Sequence, residues 1–185
     1  MARMKFIRRW GLMKSVRVEN VAEHSAEVAM LAHAIALIKN KKFGGNVDAD
    51  RIATLALYHE ASEVITGDLP TPIKYYNAEI KSAYKDIESI ANNKLLSMLP
   101  DDFREDYREI IELDAASCEY AIIKAADKIA AYIKCVEELR NGNREFAVAE
   151  RSLKKEIKAC CVLPEVEYFC AEYLDTFRQT LDEME

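Results

Sequence analysis

Val166, Phe169, Cys170, Tyr173, Leu174, Phe177 and Leu181 recur at spacings of three and four residues. That is the step at which side chains stack on one face of an α-helix, and a helix with such a stripe must bury it against another element. The same rhythm runs through residues 21 to 39, where Val21, Val28, Leu31, Ala32, Ile35 and Ile38 lie near one face. Glycine and proline, which would interrupt it, number only 5 and 4 in 185 residues, and no stretch reads as a strand. Half of the chain is hydrophobic, enough to fill one core and to exclude disorder. The expectation is an all-α, single-domain helical bundle over residues 1–185, with the helices of 147–185 packed on the rest.

Local signals set the expected elements. Asn20-Val21-Ala22-Glu23 is a capping box opening a helix from 21 to about 39, followed by a Phe43-Gly44-Gly45-Asn46 loop. Asp50 opens a helix from 51 to about 65, which the Gly67-Asp68-Leu69-Pro70-Thr71-Pro72 segment stops, because two prolines cannot continue a helical ladder. A long helix is expected from about 74 to 99, a short segment through about 112, and the longest helix from about 114 to 140, closed by Asn141-Gly142-Asn143. Residues 145–160 and a last helix from Pro164 complete the chain.

Lys and Arg number 26 against 32 Asp and Glu, a net charge of -6, which is a poor match for a nucleic-acid polymer. The balance is uneven. No acid precedes Glu19, whereas Arg3, Lys5, Arg8, Arg9, Lys14 and Arg17 are basic, a local patch suited to a small anionic ligand. The five cysteines, at 118, 135, 160, 161 and 170, are odd in number and lack C-x-x-C spacing. They read as free thiols in a reducing compartment, which predicts a cytoplasmic location. No apolar run approaches a membrane span and the N-terminus lacks a secretory signal, so no membrane partner is expected.

The chain has three histidines. His24 and His33 share a helix at a nine-residue spacing, which at roughly 100° per residue puts them on opposite faces, and His33 takes the structural or exposed role. His59 and Glu60 are adjacent in an otherwise apolar stretch, LALYHEASEVITGDLPTP, with Glu63 one turn later. Side chains at neighbouring helical positions diverge yet still reach one ion lying between them. Asp127 is the lone carboxylate of AIIKAADKIAAYIKC, and a buried charge is costly unless paired or bound to metal. Two imidazoles and two carboxylates suit a divalent transition metal. Plainer roles stand beside this one: a satisfied helix histidine, an Asp127 ion-paired to Lys124 or Lys128, a solvated face carrying Glu60 and Glu63. An H-E-x-x-H zinc site is excluded, because Glu63 stands where the second histidine would be.

The order His24, His59-Glu60, Asp127 resembles the H…HD…D pattern of HD-domain metal-dependent phosphohydrolases. The strings RRWGLMKSVRVENVAEHS, KNKKFGGNVDADRIATLALYHEASEVITGDLPTPIKYYN and AADKIAAYIKCVEEL are similar to those of the bacterial 5′-deoxynucleotidases, over about residues 8–146. The resemblance implies an HD-domain helical bundle that removes phosphate from deoxyribonucleoside 5′-monophosphates. It implies metal ligation by His24, His59, Glu60 and Asp127, and action of Glu63 on water. It also implies substrate contact by Arg9 and Trp10, by Asp68, Leu69, Pro70 and Thr71, and by His24 and Asp127, with Arg9 and Asp68 counted in the catalytic set. One divalent ion is implied, cobalt or manganese first, with magnesium, zinc, iron or nickel as further candidates. A homodimer is implied as well. The departure is Glu60, where the motif has Asp: its carboxylate is displaced by one C–C bond, ~1.5 Å. An adjusted backbone, a slower enzyme and a nucleotide-binding protein without turnover all remain open at this level. So does a phosphohydrolase acting on another phosphorylated metabolite, or a purely structural helical protein.

Overall fold

A computed structural model describes residues 1–74 and 76–183, with only the backbone of Leu181, so that side chain of the C-terminal stripe and Tyr75 lie outside the described residues. Its helices are α1 Val21–Lys42, α2 Ala49–Tyr58, α3 Glu63–Thr66, α4 Thr71–Lys74, α5 Ala78–Ser97, α6 Asp101–Ile111, α7 Cys118–Arg140, α8 Ala147–Cys160 and α9 Pro164–Tyr173. The fold is all-α, as its periodicity requires. Its one approach to sheet among the described residues is an isolated antiparallel bridge between Arg8 and Asn20.

Side-chain caps decide where helices begin. The capping box is present: the Asn20 side chain accepts the Glu23 N–H, and the Glu23 side chain accepts the Asn20 N–H. Asp48 rather than Asp50 caps α2, and its carboxylate accepts the Arg51 N–H. Asn77 caps α5, so the helix expected from 74 splits into α4 and α5. Ser117 caps α7; Asp114 instead makes a turn, its carboxylate taking the Ala116 N–H and its carbonyl the Ser117 hydroxyl. A 3₁₀ turn at Arg144–Phe146 precedes α8, and another, Leu174–Arg178, replaces the end of the last expected helix.

α1, α2 and α7 form the centre. α1 packs on α2, α7 and α9, while α8 covers α7 from the other side. Val28, Ala32, Ile35, Ile52, Ala56, Ile122, Ala126, Ile129, Ala130 and Tyr132 have no exposed surface and belong to a single apolar cluster. α1 departs from expectation in one respect: by length and composition it is apolar enough to cross a bilayer. Its apolar face is instead the central wall of this core. α5 and α6 stand outside, packed on α3 and α2 respectively.

Two stability predictions follow from this packing. Ile129→Ala leaves a cavity at the middle of α7 and should lower unfolding free energy by about 2–5 kcal/mol in urea titrations. Glu27, half-buried on α1, is pushed up to about 7, by burial first and then by the charges of Glu19 and Glu137. An acid raised in the folded state contributes stability below its unfolded value of about 4.3 and loses it as pH rises through the folded value. Glu27→Gln should therefore raise the melting temperature relative to the unaltered chain by an increment that grows from about pH 4.5 to 7 and is flat above. An increment independent of pH would show that Glu27 is not strained by its neighbours.

Candidate active site

The helix expected to run through His59 stops at Tyr58. Residues 58–65 continue in tight turns, with the N–H groups of Ala61, Glu63, Val64 and Ile65 each bonded to the carbonyl three residues earlier. The imidazole helps cause this, because His59 Nδ1–H donates to Ala56 O at 2.7 Å, beside the 3.4 Å bond from the His59 backbone N–H to the same carbonyl. The break corrects the expectation that Glu63 shares a helix face with His59. Glu63 opens α3 instead, and it is the turn that aims His59, Glu60 and Glu63 at one point.

His24 from the first turn of α1, His59 and Glu60 from this turn, and Asp127 from the middle of α7 each offer an atom within 4.8 Å of the others. His24 Nε2 is 3.0 Å from Asp127 Oδ1, and His59 Nε2 is 3.4 Å from Glu60 Oε1 and 3.9 Å from Asp127 Oδ1. With its Nδ1 proton committed to Ala56, His59 turns Nε2 into the cluster, where that atom is buried and has no hydrogen-bond partner. A buried nitrogen held by its own ring partner, aimed at two carboxylate oxygens and a second imidazole, is a good fit for a divalent cation. Glu60 rises from this tight turn, and its carboxylate lies in the cluster. His33 pairs with Asp50 on the surface at 3.2 Å, outside the cluster, as its face predicts.

Charge in the cluster is organised. Burial alone would raise Asp127, but the Lys124 ammonium at 3.1 Å, the His24 imidazole at 3.0 Å and the nearby His59 ring hold it well below the usual carboxylate range. Lys124 thus takes the ion-pairing role that spacing allowed, while Lys128 turns away to Glu156 at 3.0 Å. Burial lowers His24. Burial works against Glu60 too, yet His59 and Lys124 keep it ionised. Burial and the neighbouring Glu60 charge push Glu63 strongly up, so Glu63 keeps its proton beside the Glu60 carboxylate.

Arg9 and Trp10 are carried in by a loop that starts and ends at one place. The Arg9 N–H donates to Glu19 O at 3.0 Å and the Val21 N–H to Ile7 O at 3.0 Å, flanking the Arg8–Asn20 bridge. One carboxylate oxygen of Glu19 accepts both Arg9 Nε at 3.2 Å and Trp10 Nε1 at 2.9 Å. Trp10 has a left-handed backbone, φ 59, and its ring leans on Phe146 with centroids 5.2 Å apart. Burial disfavours the Arg9 charge, but Asp127, Glu19, Glu60 and Asp68 more than offset it and raise its pKa. Asp68 is half-buried on the same side, raised by burial and opposed by Arg9. It follows Gly67, whose φ of 72 lets α3 turn into the loop. Leu69 and Pro70 are half-buried, and Thr71 is exposed at the start of α4.

Glu19 was not singled out from sequence, although it is the first acid after the basic N-terminal segment and so the natural partner for it. Glu138 and Lys134, whose contacts with that loop are described below, carried no sequence signal at all.

This arrangement can now be set beside known proteins. Residues 1–177 match the model of the family described as 5′-deoxynucleotidase YfbR-like. A 5′-deoxynucleotidase of Vibrio vulnificus is 55% identical over 185 residues, covering 100% of this chain and 95% of that one. The 5′-deoxynucleotidase YfbR of Salmonella paratyphi B is 52% identical, covering 100% and 92%. Among solved structures, an HD-domain phosphohydrolase from Listeria innocua superposes with a TM-score of 0.84 at 24% identity, over 95% of this chain and 85% of that one. The cyanophage S-2L HD phosphohydrolase DatZ, solved with dA and one catalytic Zn2+ ion, gives 0.66 at 19% identity, over 95% and 94%. Fold, ligand cluster and similarity over its whole length agree that this chain belongs to the YfbR-like 5′-deoxynucleotidase family.

Proposed function

We propose that this chain is a metal-dependent phosphohydrolase that converts deoxyribonucleoside 5′-monophosphates to deoxyribonucleoside and phosphate. The observation that carries the reading is the buried, unpartnered His59 Nε2 within a cluster of two imidazoles and two carboxylates, with Arg9 and Glu63 against it. His24, His59, Glu60 and Asp127 would hold one divalent ion. Such an ion supplies Lewis acidity, drawing charge from a phosphate oxygen and acidifying water.

The chain's own groups do the rest. Arg9 clamps the phosphate: its guanidinium stays charged, and Glu19 fixes its Nε edge. Glu63 retains a proton, which it can give to the departing 5′-oxygen as that P–O bond breaks and a water oxygen bonds to phosphorus, taking a proton back from that water. Trp10, pinned by Glu19 and Phe146, presents a fixed wall to the sugar, and Asp68 with the loop through Thr71 borders the same space. Two nitrogen and two oxygen donors suit a divalent transition metal, and the family resemblance puts cobalt or manganese first. We also read the protein as a cytoplasmic homodimer. The thiols, all free in the structure, support the first, and exposed apolar side chains such as Met30, Val148 and Val162 support the second.

Phosphate release from deoxy- and ribonucleoside 5′-monophosphates, with cobalt or chelator, tests the reaction: release should need metal and favour the deoxy series. Glu63→Gln should keep its metal, measured by elemental analysis, while kcat falls by about 10²–10⁴. Arg9→Ala should lose about 10²-fold in kcat/KM with metal content unchanged. Glu60→Asp withdraws the carboxylate by ~1.5 Å and should weaken metal affinity by about tenfold or more. A silent unaltered chain beside an active Glu60→Asp would show that Glu60 disables the site.

A further inference from the structure

Among the described residues, Lys134–Glu138 is the most deeply buried ion pair outside the metal-ligating cluster, and it touches the loop that carries Arg9 and Trp10, whereas the half-buried Lys39–Glu165 pair does not. Lys39 meets Glu165 at 2.8 Å, joining α1 to the start of α9. Lys134 meets Glu138 at 2.5 Å on α7, with 4% and 1% of the two side chains exposed, and this pair is turned toward residues 14–17. Glu138 Oε2 accepts the Val16 N–H at 2.8 Å, and Oε1 accepts the Arg17 N–H at 3.2 Å. Lys134 Nζ donates to Arg17 O. Asn143, just past α7, sends its amide N–H groups to Lys14 O and to Glu138 Oε2, both at 2.7 Å. Three helix-borne side chains thus take four backbone groups of one short segment.

Apolar packing does not fix that segment. Leu12, Val16 and Val18 are 71%, 62% and 53% exposed. Trp10 is the side chain that leans inward, on Phe146, and Lys134 Nζ lies 6.0 Å from the centroid of that same ring. The pair therefore supports the loop at two places: through backbone at 14–17, and through Phe146 under Trp10. A buried ion pair is weak evidence for stability, because an apolar pair of similar volume commonly serves as well. Retaining one here makes sense if the charges hold backbone that has no side-chain anchor.

We propose that Lys134, Glu138 and Asn143 form a positioning unit that holds the 9–19 loop so that Arg9 and Trp10 meet the substrate, making them determinants of substrate capture although none touches the reacting atoms. This rests on the reading of Arg9 and Trp10 as substrate contacts.

The test uses the full chain loaded with cobalt and dAMP as substrate, with metal content, melting temperature, kcat and KM measured together. Lys134→Met with Glu138→Leu replaces the pair by apolar groups of similar size and keeps α7 packed. Asn143→Asp keeps the acceptor that caps the 3₁₀ turn but removes the donors to Lys14 and Glu138. Both should raise KM, the double variant by about tenfold, with kcat within about threefold and metal content unchanged. Amide exchange at Val16 and Arg17 should accelerate while the middle of α7 stays protected. Glu165→Gln, which breaks the other pair, should lower the melting temperature and leave KM alone. Unchanged KM in Asn143→Asp despite faster exchange at Val16 and Arg17, or an equal KM rise in Glu165→Gln, overturns the proposal. If the double variant fails to fold, Asn143→Asp decides alone. If Arg9→Ala itself leaves KM and kcat unchanged, the substrate reading of the loop is what has failed.

Discussion

Asp127 is a buried negative charge on the central helix, and the architecture around the site can be understood as its compensation. The carboxylate is met by the imidazole of His24 from α1, the ammonium of Lys124 one turn earlier on α7, and His59 from the end of α2. An isolated carboxylate in such a place would take up a proton. Here the neighbours hold it ionised, and they come from all three of the helices that make the core. The apolar contacts among α1, α2 and α7 supply the drive to associate, and the site is assembled where those helices meet.

The end of α2 shows how the same centre shapes backbone. A continued helix would spread His59, Glu60 and Glu63 over its circumference. The tight turns that replace it bring all three to one side, and the His59 ring itself takes part by occupying the Ala56 carbonyl. The cost is a buried acid, Glu63, next to another, and it is met by leaving a proton on Glu63. The protonated carboxyl is then available for acid chemistry that an ordinary surface glutamate could not perform near neutrality.

Local and non-local information divide cleanly along this chain. The capping box at Asn20, the buried face of α1 and the all-α class were legible because each depends on residues three or four apart. The members of the ligand cluster were legible as residue types, and resemblance joined them. The break after Tyr58 was not, since LALYHEASEV has good helical rhythm and what accompanies the break is a side-chain bond, from the His59 ring to the Ala56 carbonyl, that rhythm does not record. The starts of α2, α5 and α7 shifted because the stronger cap stood a few residues from the expected one, at Asp48, Asn77 and Ser117. Glu19 and Glu138 were missed for a different reason. Glu19 works only because the loop curls back to bring Arg9 and Trp10 onto it, and Glu138, although Lys134 stands one turn away, acts on backbone N–H groups 121 and 122 positions away, which neither pattern nor spacing records.

The N-terminal loop brings these strands together. Its sequence is basic and acid-free, which suits an anion but gives the chain little means of folding on itself, since like charges repel and several apolar residues between them, Leu12, Val16 and Val18, are exposed. Order has to be imposed from outside. Glu19 supplies it where the loop closes, gripping Arg9 and Trp10 with one oxygen, and Glu138 supplies it at the far side through backbone N–H groups. Both are carboxylates, so both also temper the positive charge of the segment before any ligand arrives. A guanidinium held this way keeps its charge and loses much of its freedom, which lowers the ordering entropy that phosphate binding would otherwise have to overcome.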